Sequence, residues 1–181
     1  MEYIFKLSRF FYIILIYIIN LLLKITPFNF LRLSIFYFIG VKYGRGLILK
    51  RNIRIDFPWR LKIGDNCYIS EGVYLDCRGG GIVIGNSCDI SMESIVFTLT
   101  HDIESSNFST KKGDVVINSR CWICARSIVL PGSEVGEGSV LAANSVFSGK
   151  SEKYSLLVGI PARLVKKLNT NRSINVRSSS A

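Results

Sequence analysis

The sequence predicts a mainly β fold, a parallel β-helix preceded by an apolar helical segment and followed by a short helix. Three stretches predict it: a six-residue period from about Leu47 to Lys150, an apolar basic-flanked stretch ahead of it, and a short basic stretch behind it. At 181 residues the chain suffices for one domain with a real core.

The first element covers residues 1–40. Phe10 to Leu23 is apolar except for Asn20, with Arg9 and Lys24 at its ends. A bilayer crossing takes ~20 apolar residues, and a run this short more often marks a buried or interfacial helix. Pro27 breaks the helix, and Phe28 to Ile39 supplies a second apolar stretch that contains Arg32. The expectation is a helix, a break and a second helix lying in or dipping into a membrane, with a single span as the alternative. No small-residue cleavage site follows the apolar run, so a removable signal peptide fits poorly.

Charge has the same asymmetry. Between Met1 and Arg54 nine Lys/Arg face one acid, Glu2, for +8, and the rest of the chain carries the remaining +2 of a total of +10. Positive charge that flanks apolar stretches points to an anionic membrane surface. A nucleic-acid binder would carry its basic stripe on the folded domain, so no nucleic-acid partner is expected.

The second element, within residues 41–168, is the repeat. Ile63, Ile69, Leu75, Ile84, Ile90, Val96, Ile117, Ile123, Val129, Val135 and Leu141 mark the aliphatic position. Four residues after each stands a small or β-branched one: Cys67, Val73, Gly79, Cys88, Ser94, Thr100, Cys121, Ser127, Ser133, Ser139 and Ser145. A helix of period 3.6 cannot hold this register, whereas a six-residue repeat is the mark of a parallel β-helix. The aliphatic residue points inward, and the small one sits at the corner where a bulky side chain would not fit. Three of the five cysteines occupy that corner position, so they need no redox role. Five is an odd number, which excludes a complete disulfide framework and suits a reducing compartment. Cys121 and Cys124 form a CxxC with no second pair at zinc spacing, and no metal site is expected.

Two interruptions break the period. Arg78 to Gly81 is a Gly-rich turn, with no Lys-Ser/Thr after it to make a phosphate loop. His101 to Val116 is a polar excursion from a rigid stack, and such loops usually carry function. His101 is the one histidine of the chain. Its ordinary pKa of ~6.5 suits it to accept a proton near neutrality.

The third element starts after Lys150. Val158 to Lys167 reads as a turn leading into a short basic helix, and the Ser-rich stretch 169–181 reads as a disordered tail.

Across about residues 41 to 168 the chain resembles the hexapeptide-repeat acyltransferases, closest to polysaccharide O-acetyltransferases of the colanic acid type. The resemblance rests on Ile63-Gly64-Asp65-Asn66, Thr100-His101-Asp102, Cys121-Trp122-Ile123, Val135-Gly136-Glu137-Gly138 and Gly159-Ile160-Pro161-Ala162-Arg163. It implies a left-handed β-helix, a homotrimer with active sites in the clefts between prisms, and acetyl-CoA as co-substrate. His101 matches the family's general base, and Asp102 beside it either orients the ring or holds the loop. The backbone amide of Ala125 matches an oxyanion donor. Trp122 matches an aromatic that lines the cleft or merely packs. Ala143 matches a contact to the pantetheine arm, and Arg163 and Lys166 match cations near the coenzyme's phosphates. Cys124 and Asn144 stand where the family often has Gly, and Ile160 where Asn is common, which puts coenzyme contacts in doubt but leaves His101 intact. The one histidine also excludes the three-histidine zinc site of carbonic anhydrases built on the same helix.

The expected function is transfer of an acetyl group to a sugar hydroxyl in O-antigen, capsule or exopolysaccharide synthesis, at the cytoplasmic face of the inner membrane, with a carbohydrate acceptor that is lipid-linked or free. Asp76, Arg78 and Asn107 are candidates for acceptor contacts. A small soluble acceptor, such as an amino acid or free sugar, would leave residues 1–40 unexplained. A non-catalytic scaffold would leave His101 incidental.

Overall fold

The computed structural model describes residues 2–170, with side chains from residue 10 onward. The expected tail from Asn169 lies outside the described residues from 171 on. Two helices, α1 (Glu2–Ile25) and α2 (Asn29–Phe38), precede a parallel β-helix of short strands. The first face stacks Lys42–Tyr43, Leu61–Ile63, Ile82–Ile84, Val115–Ile117 and Glu134–Val135. The second stacks Ile48–Leu49, Tyr68–Ile69, Asp89–Ile90, Trp122–Ile123 and Val140–Leu141, and the third Arg54–Asp56, Tyr74–Asp76, Ile95–Phe97, Ile128–Val129 and Val146–Phe147. Each coil thus contributes one strand to each face.

Period six becomes structure through register. Ile63 pairs with Ile84, Ile84 with Ile117 and Ile117 with Val135, so the aliphatic positions form vertical ladders. All eleven aliphatic positions are buried. Each is worth about 1.5–3 kcal/mol relative to exposure, and because one coil cannot cover its own stripe the stack is cooperative. Nine of the eleven small positions are buried too; Gly79 and Thr100 are not, and each adjoins one of the two interruptions. Gly85 shows why the corners are tight: a Cβ there would lie 2.5 Å from the Ser119 nitrogen. The corner thiols donate upward to the next coil, Cys67 to the Gly85 carbonyl at 3.0 Å, Cys88 to Asn118 at 3.1 Å and Cys121 to Gly136 at 3.2 Å. Bonding to the Cys121 thiol, with burial, pushes Cys88 up to about 12, and burial pushes Cys77 up to about 12. At neutral pH these are inert core thiols.

The open lower end of the stack is closed by the helices. Tyr12, Ile16, Ile19 and Leu23 recur at helical spacing on the inner stripe of α1, and Leu23 and Phe36 of α2 are fully buried. Polar side chains satisfy the first coil's free edge. Asn20 donates to the Ile55 carbonyl at 3.1 Å and accepts the Ile55 amide at 2.8 Å. Asn29 donates to Leu47 at 3.2 Å and accepts from Leu49 at 2.8 Å. Arg32, 4% exposed, donates to the carbonyls of Leu49 at 2.9 Å and Thr26 at 2.6 Å. Burial, and then Arg51, lower its pKa. Among the described residues, no helix is long and apolar enough to cross a membrane.

The upper end departs from expectation. The short basic helix expected within Val158 to Lys167 is instead a strand, Ala162–Lys167, antiparallel to Ser155–Gly159. The last coil leaves Val140–Leu141 with an unpaired edge; Leu156 and Leu157 take it in parallel, and the hairpin follows. A helix would have left that edge open.

Candidate active site

The excursion is an arm rather than a loose loop. Leu99–His101 pairs antiparallel with Thr110–Lys112, placing His101 opposite Thr110. Thr98 anchors its root: buried, its hydroxyl donates to the Asp76 carbonyl at 2.7 Å and accepts the amides of Gly79 at 3.0 Å and Gly80 at 3.1 Å. The Gly113 amide returns to the Thr98 carbonyl at 3.0 Å and closes the base.

His101 is exposed, and its Nδ1 lies 2.6 Å from the Phe108 carbonyl. A carbonyl oxygen only accepts, so Nδ1 carries the proton in the neutral ring and Nε2 carries the lone pair. Asp102 does the other job allowed by the sequence: its carboxylate accepts the Glu104 amide at 3.1 Å, and its own amide donates to Ser109 at 2.8 Å. It shapes the tip of the arm while the Phe108 carbonyl orients the ring. Asn107 sits exposed at that tip, accepting the Ser105 hydroxyl at 2.6 Å.

The residues matched to coenzyme gather elsewhere, on the outer side of the second face. Cross-strand pairing runs Tyr68, Asp89, Trp122, Val140, Leu156 and Lys166 in one outward column. Trp122 is 38% exposed, and its indole N–H donates to Ser91 Oγ at 2.8 Å, which donates in turn to Asp89 at 3.2 Å. Ala125 and Ala143 stand one above the other at the next corner, since Ile123 pairs with Leu141 and the Asn144 amide donates to the Ala125 carbonyl at 3.1 Å.

Arg163 and Lys166 are three apart, which in a regular strand would put them on opposite sides. A register shift opposite Leu156/Leu157 corrects this. Arg163 pairs with Val158 and Lys166 with Leu156, two residues apart on one strand, so both cations share the outward side. The bulge supplies what the expected helix would have supplied.

Asp76 and Arg78 lie below the root of the arm. Asp76 is 0% exposed and holds Arg78 through two side-chain bonds of 2.9 and 2.8 Å and its amide at 3.0 Å. Its carboxylate therefore faces no solvent in the protomer. Arg78 remains half-exposed, with its pKa raised by the bond to Asp76. Asp56, one coil below in register, accepts the Tyr74 hydroxyl at 2.6 Å, and burial followed by that bond raises the Tyr74 pKa. Asp56, Tyr74, Thr98, Ser91 and the Phe108 carbonyl were not singled out from the sequence. The one-coil spacing of Asp56 and Asp76 was a usable signal; a backbone carbonyl carries none.

Among the described residues, no cluster of three His, Cys, Asp or Glu could hold a metal ion. The family model for the bacterial transferase hexapeptide (six repeats) matches residues 114–149, the uninterrupted coils of the stack. The chain belongs to the hexapeptide-repeat transferases. It is 31% identical over 130 residues to the putative colanic acid biosynthesis acetyltransferase WcaF of Escherichia coli K12, covering 72% of this chain and 66% of that one. A putative acetyltransferase of Staphylococcus aureus strain COL is 34% identical over 119 residues, covering 64% of this chain and 59% of its own length. The chain thus spans less than two thirds of the length of these curated relatives, 66% and 59%. A hexapeptide-repeat acetyltransferase of Vibrio cholerae superposes with a TM-score of 0.79 at 23% identity, over 85% of this chain and 89% of that one. A maltose O-acetyltransferase of Clostridium difficile 630 superposes with 0.71 at 21% identity, over 85% and 84%. At those identities the shared property is the fold, a parallel β-helix.

Proposed function

We propose that the protein is an acetyl-CoA-dependent O-acetyltransferase acting on a sugar hydroxyl in surface-glycan synthesis, with His101 as general base. One observation carries the reading: an exposed imidazole on a braced arm, with Nδ1–H committed to a carbonyl and Nε2 left as the proton acceptor. The chemistry follows. Nε2 takes the hydroxyl proton as the oxygen attacks the thioester carbon; collapse of the tetrahedral intermediate expels the thiolate, which recovers that proton from the imidazolium. The ester forms as the thioester breaks, and no oxidant is needed.

Developing charge on the carbonyl oxygen calls for a donor, and the Ala125 amide is the candidate. A well-placed donor of this kind is worth about 2.7–4 kcal/mol. Arg163 and Lys166, brought to one side by the bulge, suit the coenzyme's phosphates through charge-assisted bonds. Trp122 stands in the same column as Lys166, and Ala143 leaves the corner open for a thin chain such as pantetheine.

Support for acetyl-CoA also comes from the Vibrio cholerae neighbour, solved as a complex with acetyl coenzyme A. A glycan acceptor is supported by the WcaF and maltose acetyltransferase names. The bonds of His101 and Asp102 stay within the arm, while the coenzyme residues lie on the second face, so the reading assigns a homotrimer in which one protomer's arm meets its neighbour's face. Arg78 below the arm and Asn107 at its tip serve as acceptor contacts, and Asp76 acts by holding Arg78. A lipid-linked acceptor at the cytoplasmic face of the inner membrane accounts for the apolar, basic N-terminal end.

The test is thiol release from acetyl-CoA with glycan acceptors, comparing the wild type with His101→Ala. A loss of about 10²–10⁴-fold in turnover is expected. Unchanged turnover would remove His101 from the chemistry.

A further inference from the structure

Among the described residues, the outer side of the helical cap has no partner, whereas its inner side packs on the stack. On α1, Tyr12, Ile16, Ile19 and Leu23 face the stack. A helix on the surface of a globular protein turns polar residues to water on the opposite side. Here that opposite side is Phe10, Ile14, Tyr17, Leu21 and Ile25, all apolar or aromatic and all exposed. α2 continues the surface with Phe30, Leu31, Tyr37 and Phe38, the last 83% exposed. At ~1.5 Å per residue, residues 10–25 of α1 lay down an apolar strip about 24 Å long, where soluble monomers rarely expose a contiguous apolar patch of more than a few hundred Å².

Charge decides what covers it. Lys24, Lys42, Arg45, Lys50, Arg51 and Arg54 are exposed at this end of the molecule. No acid stands between Glu2 and Asp56, and Asp56 is buried. A second copy meeting this surface about a two-fold axis would set these cations against themselves. An anionic lipid surface is complementary to them, at ~1 kcal/mol per basic residue close to it. Tyr17, Tyr37 and the half-exposed Trp59, which packs on Tyr12, are the residue types that settle at the headgroup level. Geometry sets the mode: no described helix is long and apolar enough to cross, and both helices are fastened along their length through Asn20, Asn29 and Arg32.

We propose that the outer face of α1 and α2 is a docking surface for an anionic lipid bilayer, lying in its interface along the membrane plane and holding the open end of the β-helix against it. This rests on the membrane-side placement in the reading above and not on its acetyl-transfer chemistry.

Flotation of the full chain with vesicles tests it without any activity measurement. Vesicles of phosphatidylcholine with one third phosphatidylglycerol are expected to carry the wild type at least ~10-fold better than pure phosphatidylcholine, less so as salt rises. The triple variant Ile14→Ser, Leu21→Ser, Phe30→Ser touches no buried position and is expected to lose at least ~10-fold of that binding. Circular dichroism checks that its fold is kept, and the double charge reversal Lys50→Glu, Arg51→Glu serves as a second variant expected to lose the preference for anionic lipid. Wild type left in the soluble fraction with anionic vesicles would overturn the proposal. So would vesicle binding that survives both sets of substitutions, or sedimentation showing that the serine variant loses a self-associated state while the wild type ignores lipid.

Discussion

The two ends of the β-helix face one problem and solve it in opposite ways. Each terminal coil exposes backbone groups that the next coil would have satisfied. At the lower end side chains do the work: Asn20, Asn29 and Arg32 reach from two helices to the Ile55, Leu47 and Leu49 backbone. At the upper end backbone does it, through the hairpin of Ser155–Gly159 and Ala162–Lys167. The consequence is a division of labour. The lower cap turns Asn20, Asn29 and Arg32 inward and leaves a mostly apolar outer face edged by Lys24 and Ser34. The upper cap uses its main chain for closure and leaves Arg163 and Lys166 exposed on its outer side, where a polyanion can be met. Closure by helices leaves a largely apolar outer surface, and closure by a strand leaves a cationic one.

This contrast can be broken at several points. Phe36→Ala should cost the most stability, about 3–5 kcal/mol by urea denaturation, because a fully buried ring joins the lower cap to the stack. A negligible loss would mean that the helices are appended rather than structural. Removing both cations of the upper cap, Arg163→Ala with Lys166→Ala, should raise the KM for acetyl-CoA by about 10–100-fold and leave the melting temperature almost unchanged. An equal fall in stability would return those residues to a structural role. Asn29→Ala should cost about 1–3 kcal/mol, since the Leu47 carbonyl and Leu49 amide both lose a partner, with KM for the coenzyme unmoved.

Legibility from sequence followed the same division. The stack was readable because its period is covalent: Ile117, Ile123 and Val129 recur whatever surrounds them, and the break after Val96 announced the arm. The upper cap was misread as a helix because Ala162 to Lys167 offers no alternation strong enough to choose, and its strand partner and waiting edge are tertiary facts. Arg163 and Lys166 still came together, but by a bulge that no local pattern encodes. Asp76 is one of the acceptor candidates in the sequence, and its burial under Arg78 emerges only when coils are superposed. For the arm, His101 was visible as the one histidine at a register break. The group that orients it was not, because the Phe108 carbonyl belongs to the backbone, and the neighbouring Asp102 carboxylate instead accepts the Glu104 amide.

To act as general base, His101 has to be held in one tautomer with Nε2 free to take the acceptor's proton. Because the chain has a single histidine, long-range nitrogen–proton NMR of the labelled imidazole reads that tautomer without assignment ambiguity. Above the pH at which the ring loses its charge, the proton is expected on Nδ1, with a bare, pyridine-like Nε2. A ring protonated on Nε2, or one averaging freely between the two forms, would contradict His101 as general base.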